Sequence, residues 1–432
     1  MSFVMDNLGI ESGELTIGGV KVSDLARKYG TPLYILDEDK IRQNCRDYVE
    51  ALKTYYPAES KVLYASKAFC CKGIYPVIKS EGLGADVVSG GELFTACLGN
   101  MPGEELYFHG NNKNDSEIEL ALERSVHAIV VDSIYELKKL SKIAEAMGKR
   151  ARVLFRVKPG VDIHTHEFVQ TGQEDSKFGL SLVNGEAFEA FSIAKGLENI
   201  DIMGIHCHIG SQIFEAEGFN VAINRIAGFV REIKDKLNVE THELNLGGGQ
   251  GIKYTQKDDP LPITEFAKYI ALSVVEIFKN NNLTLPKLLL EPGRSIVGNA
   301  GITVYTVGSV KTIPNVRKYI SVDGGMGDNP RYMMYGSEYE ALRVREPLDN
   351  KKAIVTIVGK YCESGDVIIK DGELPEVEPE DLIAVQCTGA YNYSMASNYN
   401  RIPRPAAVIV SNGEDRILVR RESYENLVIL DK

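Results

Sequence analysis

Lys67 closes the segment Tyr64-Ala65-Ser66-Lys67 at the end of a short β-rich run. A lysine held where a strand ends at a site, if desolvated, loses proton affinity and becomes a nucleophile towards an aldehyde. A lysine snorkelling to a rim is the plainer use of the same residue. Gly247-Gly248-Gly249 follows another such run. Consecutive glycines let backbone N–H groups approach an anion such as phosphate, although a tight turn also asks for them. Glu291-Pro292-Gly293-Arg294 offers a carboxylate for a cationic ring nitrogen and a guanidinium for an anion, or else a structural ion pair. His206-Cys207-His208 puts two histidines at i and i+2, on one side of a strand, where they could ligate one metal; His164 and His166 form a second such pair. A metal-hydrolase site usually wants an acidic ligand beside a histidine on another strand. That reading also leaves Lys67 and the glycines without a task, and one histidine stacked on a flat ring is the more economical use.

These residues need elements to position them. Short β-rich runs at 61–67, 84–89, 106–110, 128–133, 152–157, 202–209, 243–247 and 287–291 end in Lys, Gly, Ser or other polar residues. Helix-like stretches separate them; 133–147, 219–237 and 263–279 carry apolar residues at helical spacing, the first behind a Ser that can cap it. Eight strands alternating with helices predict a (β/α)8 TIM barrel, with a doubly wound sheet as competitor. Polar residues and glycines at nearly every strand's C-terminal end favour the barrel, whose sites are built there. After Arg294 the texture changes to strands at 303–310, 319–322, 353–358, 381–386, 407–411 and 416–420, with turn signals at Asp371-Gly372 and Asn412-Gly413. The expectation is an α/β barrel over 36–294 and a second, mainly β domain, sandwich- or barrel-like, made of 1–35 plus 295–432. Residues 33–36 are read as leading into the barrel.

A chain of 432 residues exceeds one ordinary core, which agrees with two domains. A net charge of −11 argues against sequence-independent nucleic-acid binding. No apolar run approaches the roughly 20 residues that span a bilayer. Residues 1–14 hold three acids and no Lys or Arg, unlike a targeting peptide, so the cytoplasm is expected. Seven cysteines, Cys70 and Cys71 adjacent and the rest scattered, with no CxxC, suggest neither a disulfide framework nor a zinc site, and no metal is expected.

Lysine after strand one, glycines after strand seven, and acid plus arginine after strand eight together specify a cofactor with an aldehyde, a phosphate and a pyridine nitrogen: pyridoxal 5'-phosphate. With YASKA (64–68), HGNNK (109–113), the stretch from VDIHTH through TG to DSKFG (161–179), HCHIGSQ (206–212), GGG, EPGR, CESGD (362–366) and GAY (389–391), the chain resembles the barrel-fold pyridoxal-phosphate decarboxylases. That group includes the ornithine and diaminopimelate decarboxylases; HIGSQ, the TG-to-DSKFG stretch and CESGD favour the latter. The resemblance runs from about Pro32 to past Tyr391.

It implies decarboxylation of meso-2,6-diaminopimelate to L-lysine, the last step of lysine biosynthesis. It implies that Lys67 carries the cofactor with Asp86 nearby and that His208 stacks on the ring. Ser211, Gly248, Gly249 and Tyr391 serve the phosphate or its surroundings, Gly293 and Arg294 complete the cofactor's contacts, and Glu291 pairs with the ring nitrogen. Arg294, Arg331, Tyr335, Glu363 and Tyr391 resemble substrate contacts: arginines for the distal carboxylate, Glu363 for the distal ammonium. Cys362 resembles the proton donor, since an ordinary thiol, with a pKa of about 8.5, is protonated at neutral pH. In the family the CESGD segment reaches the neighbouring subunit's site, which implies a homodimer. Lysine, ornithine or a carboxylated polyamine are alternative substrates. A catalytically inactive homologue that regulates a partner is the alternative of another class, against which Lys67 and Cys362 both stand.

Overall fold

The computed structural model describes residues 3–160 and 176–432. His164, His166 and the 161–175 part of the motif stretch lie outside the described residues. The chain forms two compact units, one of Met1–Gln43, Ile252–Asp259 and Ile296–Lys432, the other of Asn44–Gly251 and Pro260–Ser295.

The second unit is the barrel. Its strands are Ser60–Ala65, Gly84–Val87, Leu106–Phe108, Ala128–Val131, Ala151–Lys158, Ile200–His206, Glu243–Asn245 and Lys287–Leu290, called strands one to eight below. Each pairs in parallel with the next, and strand eight pairs with strand one, so the ring closes. Strands two, three, four and seven are buried throughout, as expected of strands packed on both faces. Leu63, Tyr107, Ala128, Val130, Leu154 and Leu289 form one interior cluster.

Short loops end in residues that start the next helix. Ser89, Asn114 and Ser133 each accept the N–H three residues on, capping Gly90–Leu98, Asp115–Glu123 and Ile134–Ala146. The helices expected at 219–237 and 263–279 are found as Glu217–Leu237 and Ile263–Asn280, the former ending at Asn238 with φ +53°.

The other unit is mainly sheet. Its longest strand, Gly301–Ile313, is shared: Leu33–Asp37 and Leu382–Val385 pair with its first part, Arg317–Val322 with its second. The sheet extends through Lys352–Val358 to Val367–Pro375 on one side. On the other, Leu33–Asp37 pairs with Ala406–Ser411, and that strand with Glu414–Val419. Leu8–Glu11, Glu14–Ile17 and Val20–Lys21 form a separate small sheet before the helix Val22–Tyr29.

Two readings are corrected here. Residues 33–36 do not lead into the barrel; Leu33–Asp37 is an inner strand of this β sheet. Asp371-Gly372 is not a turn between strands. Both lie inside Val367–Pro375, where the register shifts against Lys352–Val358 and Asp371 takes φ +51°, a β-bulge. Asn412-Gly413, with φ +52° and +80°, is the hairpin turn expected.

The HGNNK segment supplies one structural contact inside the barrel unit. Lys113 Nζ, buried, donates to Gly110 O, Val130 O and Glu136 Oε1, each at 2.7 Å, which uses all three of its donors. Burial lowers the lysine's pKa and raises the glutamate's, each opposed by the partner's charge. Lys113→Met is expected to destabilise the barrel by about 3–5 kcal/mol in urea unfolding, because Glu136 is left buried and unpaired. Adding Glu136→Leu should recover part of that loss; a double variant no more stable than the single one would show that the pairing is not what Lys113 contributes.

Candidate active site

The C-terminal ends of the barrel strands gather most of the expected residues. Glu291, just after strand eight, is buried at their centre. Asn245 Nδ2 donates to its Oε1 at 2.6 Å, and His206 Nε2 lies 3.1 Å from its Oε2. His109 Nε2 is 2.8 Å from Oε1 but off the line of a good hydrogen bond, so it counts as a polar contact. The two imidazoles meet edge to face, with centroids 4.8 Å apart. Burial alone would raise the pKa of Glu291, yet the surrounding His109 and His206 outweigh it and hold the carboxyl well below its ordinary value. Burial dominates for the histidines: it lowers the pKa of His109 and takes His206 down to about 4, against the pull of the Glu291 charge. Asp86, in strand two, behaves oppositely to Glu291. Burial and then the Glu291 charge push its pKa well up, against the pull of Lys67. Its Oδ1 is buried without a hydrogen-bond partner among the described residues.

Strand one ends at Ala65, and Lys67 sits in the 3-10 turn Ser66–Ala68 that follows. It is exposed, and it figures in the electrostatic surroundings of Asp86, Glu92 and His208. His208 is half-buried and follows strand six; burial, then Lys67, depress its pKa.

The glycines are demanded by close approach. A Cβ on Gly247 would lie 2.8 Å from His208 Nδ1, one on Gly248 2.2 Å from Glu291 O, and one on Gly249 2.5 Å from Gly210 O. Gly247 and Gly249 also take φ +68° and +121°. Ile213 N donates to Gly249 O, tying the loop of HIGSQ to that of GGG. Arg294 is buried and its Nη2 donates to Ser211 Oγ at 2.8 Å. A Cβ on Gly293 would press on Ala65 and Ala68, beside the lysine turn.

His206 and His208 do not converge as a pair of ligands, and His164 and His166 lie outside the described residues. Among the described residues, the His and acidic side chains that converge, with ligand-type atoms within 4.8 Å, are His109, His206 and Glu291. Sequence reasoning assigns no role to His109 or Asn245. The signal was there in HGNNK and in the ELNLGGG segment, both at strand ends, but the faces they turn to one another are tertiary facts.

These groups fit pyridoxal phosphate. The rim has an accessible amine for the aldehyde and an ionised carboxylate for a ring nitrogen. A glycine loop beside Ser211 and Arg294 suits the phosphate, and Asp86 keeps a buried oxygen open for a partner.

In the β unit, Arg331 is buried at the start of the short helix Arg331–Tyr335. Its Nε donates to Tyr339 Oη at 3.1 Å, Nη2 lies 3.3 Å from Ser337 Oγ, and its guanidinium sits 5.4 and 5.2 Å from the ring centres of Tyr335 and Tyr391. Cys362 and Glu363 are exposed at the tip of a turn. Asp366 anchors that turn, accepting Met326 N at 2.6 Å and Tyr361 N at 2.8 Å. A Cβ on Gly365 of the turn would lie 3.6 Å from Met333 of the Arg331 helix. Asp328, two residues after Met326, accepts Gly325 N and the Tyr305 hydroxyl.

The chain matches the family model described as pyridoxal-dependent decarboxylase, pyridoxal binding domain, over residues 38–298. It is 48% identical over 421 residues to the diaminopimelate decarboxylase of Bacillus subtilis, covering 98% of this chain and 96% of that one. With the diaminopimelate decarboxylase of Bacillus methanolicus the identity is 47% over 412 residues, 95% of each. The crystal structure of the M. jannaschii diaminopimelate decarboxylase in complex with L-lysine superposes with a TM-score of 0.94 at 37% identity, covering 100% of this chain and 99% of that one.

Asp328 gives a pH prediction. Burial pushes its pKa up to about 7, against the Tyr305 and Gly325 hydrogen bonds. An unfolded aspartate titrates near about 3.9, so between roughly pH 4 and 7 the native state keeps a proton the unfolded chain has lost. This residue's contribution to stability therefore falls as pH rises through that window. Stability of Asp328→Asn relative to the unsubstituted protein, from urea midpoints, should improve from pH 5 to pH 8. A difference independent of pH would contradict the buried acid.

Proposed function

Because the chain belongs to the diaminopimelate decarboxylases, within the pyridoxal-dependent barrel decarboxylases, we propose that it converts meso-2,6-diaminopimelate to L-lysine and carbon dioxide, the last step of lysine biosynthesis. The observation that carries the reading is the ionised Glu291 set on one barrel rim with the glycine loop and Lys67. Pyridoxal phosphate supplies the electron sink that takes up the electron pair of the departing carboxylate.

The chain's residues supply the rest. Lys67 is assigned as the amine that carries the cofactor, Glu291 as the acid that keeps the ring nitrogen protonated, and His208 as the group against the ring. Gly248, Gly249 and Ser211, with Tyr391, are assigned to the phosphate and its surroundings, and Gly293, Arg294 and Asp86 to the neighbouring contacts. Cys362 is the donor that returns a proton to Cα after carbon dioxide leaves. Arg294, Arg331, Tyr335 and Tyr391 are assigned to the substrate, the arginines to its distal carboxylate, and Glu363 to the distal ammonium.

The exposed tip bearing Cys362 and Glu363 supports a homodimer in which this turn serves the partner's site. Among the described residues no helix is long and apolar enough to cross a membrane. With seven unpaired cysteines the chain is assigned to the cytoplasm.

Purified protein incubated with meso-diaminopimelate and pyridoxal phosphate should release lysine and carbon dioxide in equal amounts; no lysine would reject the reading. Arg331→Ala should lower kcat/KM for diaminopimelate at least about tenfold, given about 1.5–3 kcal/mol for a hydrogen bond to a charged group. Trace activity on lysine, which has no distal carboxylate, should change much less. Equal proportional losses on the two substrates would make Arg331 a structural residue.

The dimer reading has its own test. Mixing inactive Lys67→Ala with inactive Cys362→Ala should restore about a quarter of normal activity, because random exchange makes half the dimers mixed, each with one intact site. No recovery despite demonstrated exchange would put both residues in one chain's site.

A further inference from the structure

Asn245 stands at the end of strand seven with no solvent exposure. Both ends of its side chain are used. Nδ2 donates to Glu291 Oε1 at 2.6 Å, and Oδ1 accepts Gly247 N at 2.9 Å. One amide thus links the acid assigned to the ring nitrogen with the first glycine of the loop assigned to the phosphate. The backbone doubles the link, since Glu291 N donates to Gly247 O at 2.8 Å. His206 completes the other side of the carboxylate, its Nε2 3.1 Å from Oε2 and its ring buried. A carboxylate has about four lone-pair sites. Donors from Asn245 and His206 fix its plane and leave outward lone pairs for a ring N–H.

We propose that Asn245 and His206 are positioning residues: together they hold Glu291 in one orientation, and Asn245 also fixes the spacing between that acid and the glycine loop, so that the two ends of the cofactor are bound in register. The inference rests on the functional reading above.

The charge balance supports it. An ionised Glu291 favours a protonated ring nitrogen. A neutral amide at 245 adds a donor without cancelling that charge. Lysine or arginine there would neutralise it, and aspartate would repel it. Asp86, Lys67, Arg156, His208, Cys207, Tyr107, Lys113 and Glu92 are other ionisable groups that act on Glu291 or its neighbours.

The test uses Asn245→Asp, Asn245→Leu, His206→Leu and His206→Gln in the full-length protein. Cofactor-free protein is titrated with pyridoxal phosphate and the dissociation constant read from the visible absorbance; melting temperature is recorded alongside, and kcat and KM are measured on the loaded enzyme. Asn245→Asp keeps the acceptor for Gly247 N but sets a second carboxylate against Glu291. It should weaken cofactor binding at least tenfold at pH 8. The ratio to the unsubstituted protein should shrink as pH falls to 6, where the pair can share a proton and regain a donor. His206→Leu should weaken cofactor binding and lower kcat with little change in KM, and His206→Gln, which keeps a donor at similar reach, should restore part of both. Asn245→Leu should weaken cofactor binding more than Asn245→Asp at pH 6. Variants that melt earlier yet bind the cofactor with unchanged affinity and spectrum at both pH values would overturn the proposal. Failure of the unsubstituted protein to bind pyridoxal phosphate would instead overturn the functional reading beneath it.

Discussion

A carboxylate has to stay charged in a place where water cannot hold it. Burying an unpaired carboxylate costs several kcal/mol or else drives it to take a proton. Glu291 avoids both outcomes through contacts drawn from strands three, six and seven: His109, His206 and Asn245. No local stretch of sequence can bring those residues together. Only a closed ring of parallel strands places the ends of all of them on one rim, so the barrel itself is the condition for the charge. Asp86, on strand two, shows the alternative. Equally buried, it has its pKa pushed well up by burial and then by the Glu291 charge. Two acids on one rim are thus shifted in opposite directions by their surroundings.

The barrel was legible because its strands are short, apolar and end in residues that cannot continue a strand, such as Ser89 and Ser133, which turn out to cap the next helix. The site was legible as strand-end residues but not as neighbours. HGNNK contains both His109, which faces Glu291, and Lys113, which faces Glu136, and spacing alone does not separate the two uses. The exposure of Lys67 was also out of reach, because it depends on a 3-10 turn that follows the strand. The β unit was read less well. Asp371-Gly372 has turn chemistry, and the left-handed φ at Asp371 is real, but it serves a bulge within one strand. Leu33–Asp37 could not be placed because both of its sheet partners lie far along the chain.

In the β unit, the segments assigned to substrate are braced by carboxylates. Asp366 holds the turn of Cys362 and Glu363 to Met326 and Tyr361; Asp328 holds Gly325, a few residues before Arg331. A Cβ on Gly325 would fall 2.5 Å from Asp366 Oδ1, so the two braces share one loop. Arg331 meanwhile stacks with Tyr335 and Tyr391 and donates to Tyr339, which restricts a long side chain to one orientation before any ligand arrives. Ordering paid during folding need not be paid again on binding.

The position of Leu33–Asp37 also matters while the chain is being made. It lies between Gly301–Ile313 and Ala406–Ser411, so one neighbour is translated some 270 residues later and the other some 370 residues later. The barrel strands, by contrast, are all made by Leu290. At roughly 5–20 residues per second of synthesis, an apolar strand with both edges open waits about 20–70 s on the ribosome for its second partner. The β unit is therefore the part of this protein most dependent on being shielded as it emerges, and the part where a translational pause or a missing chaperone would be felt first.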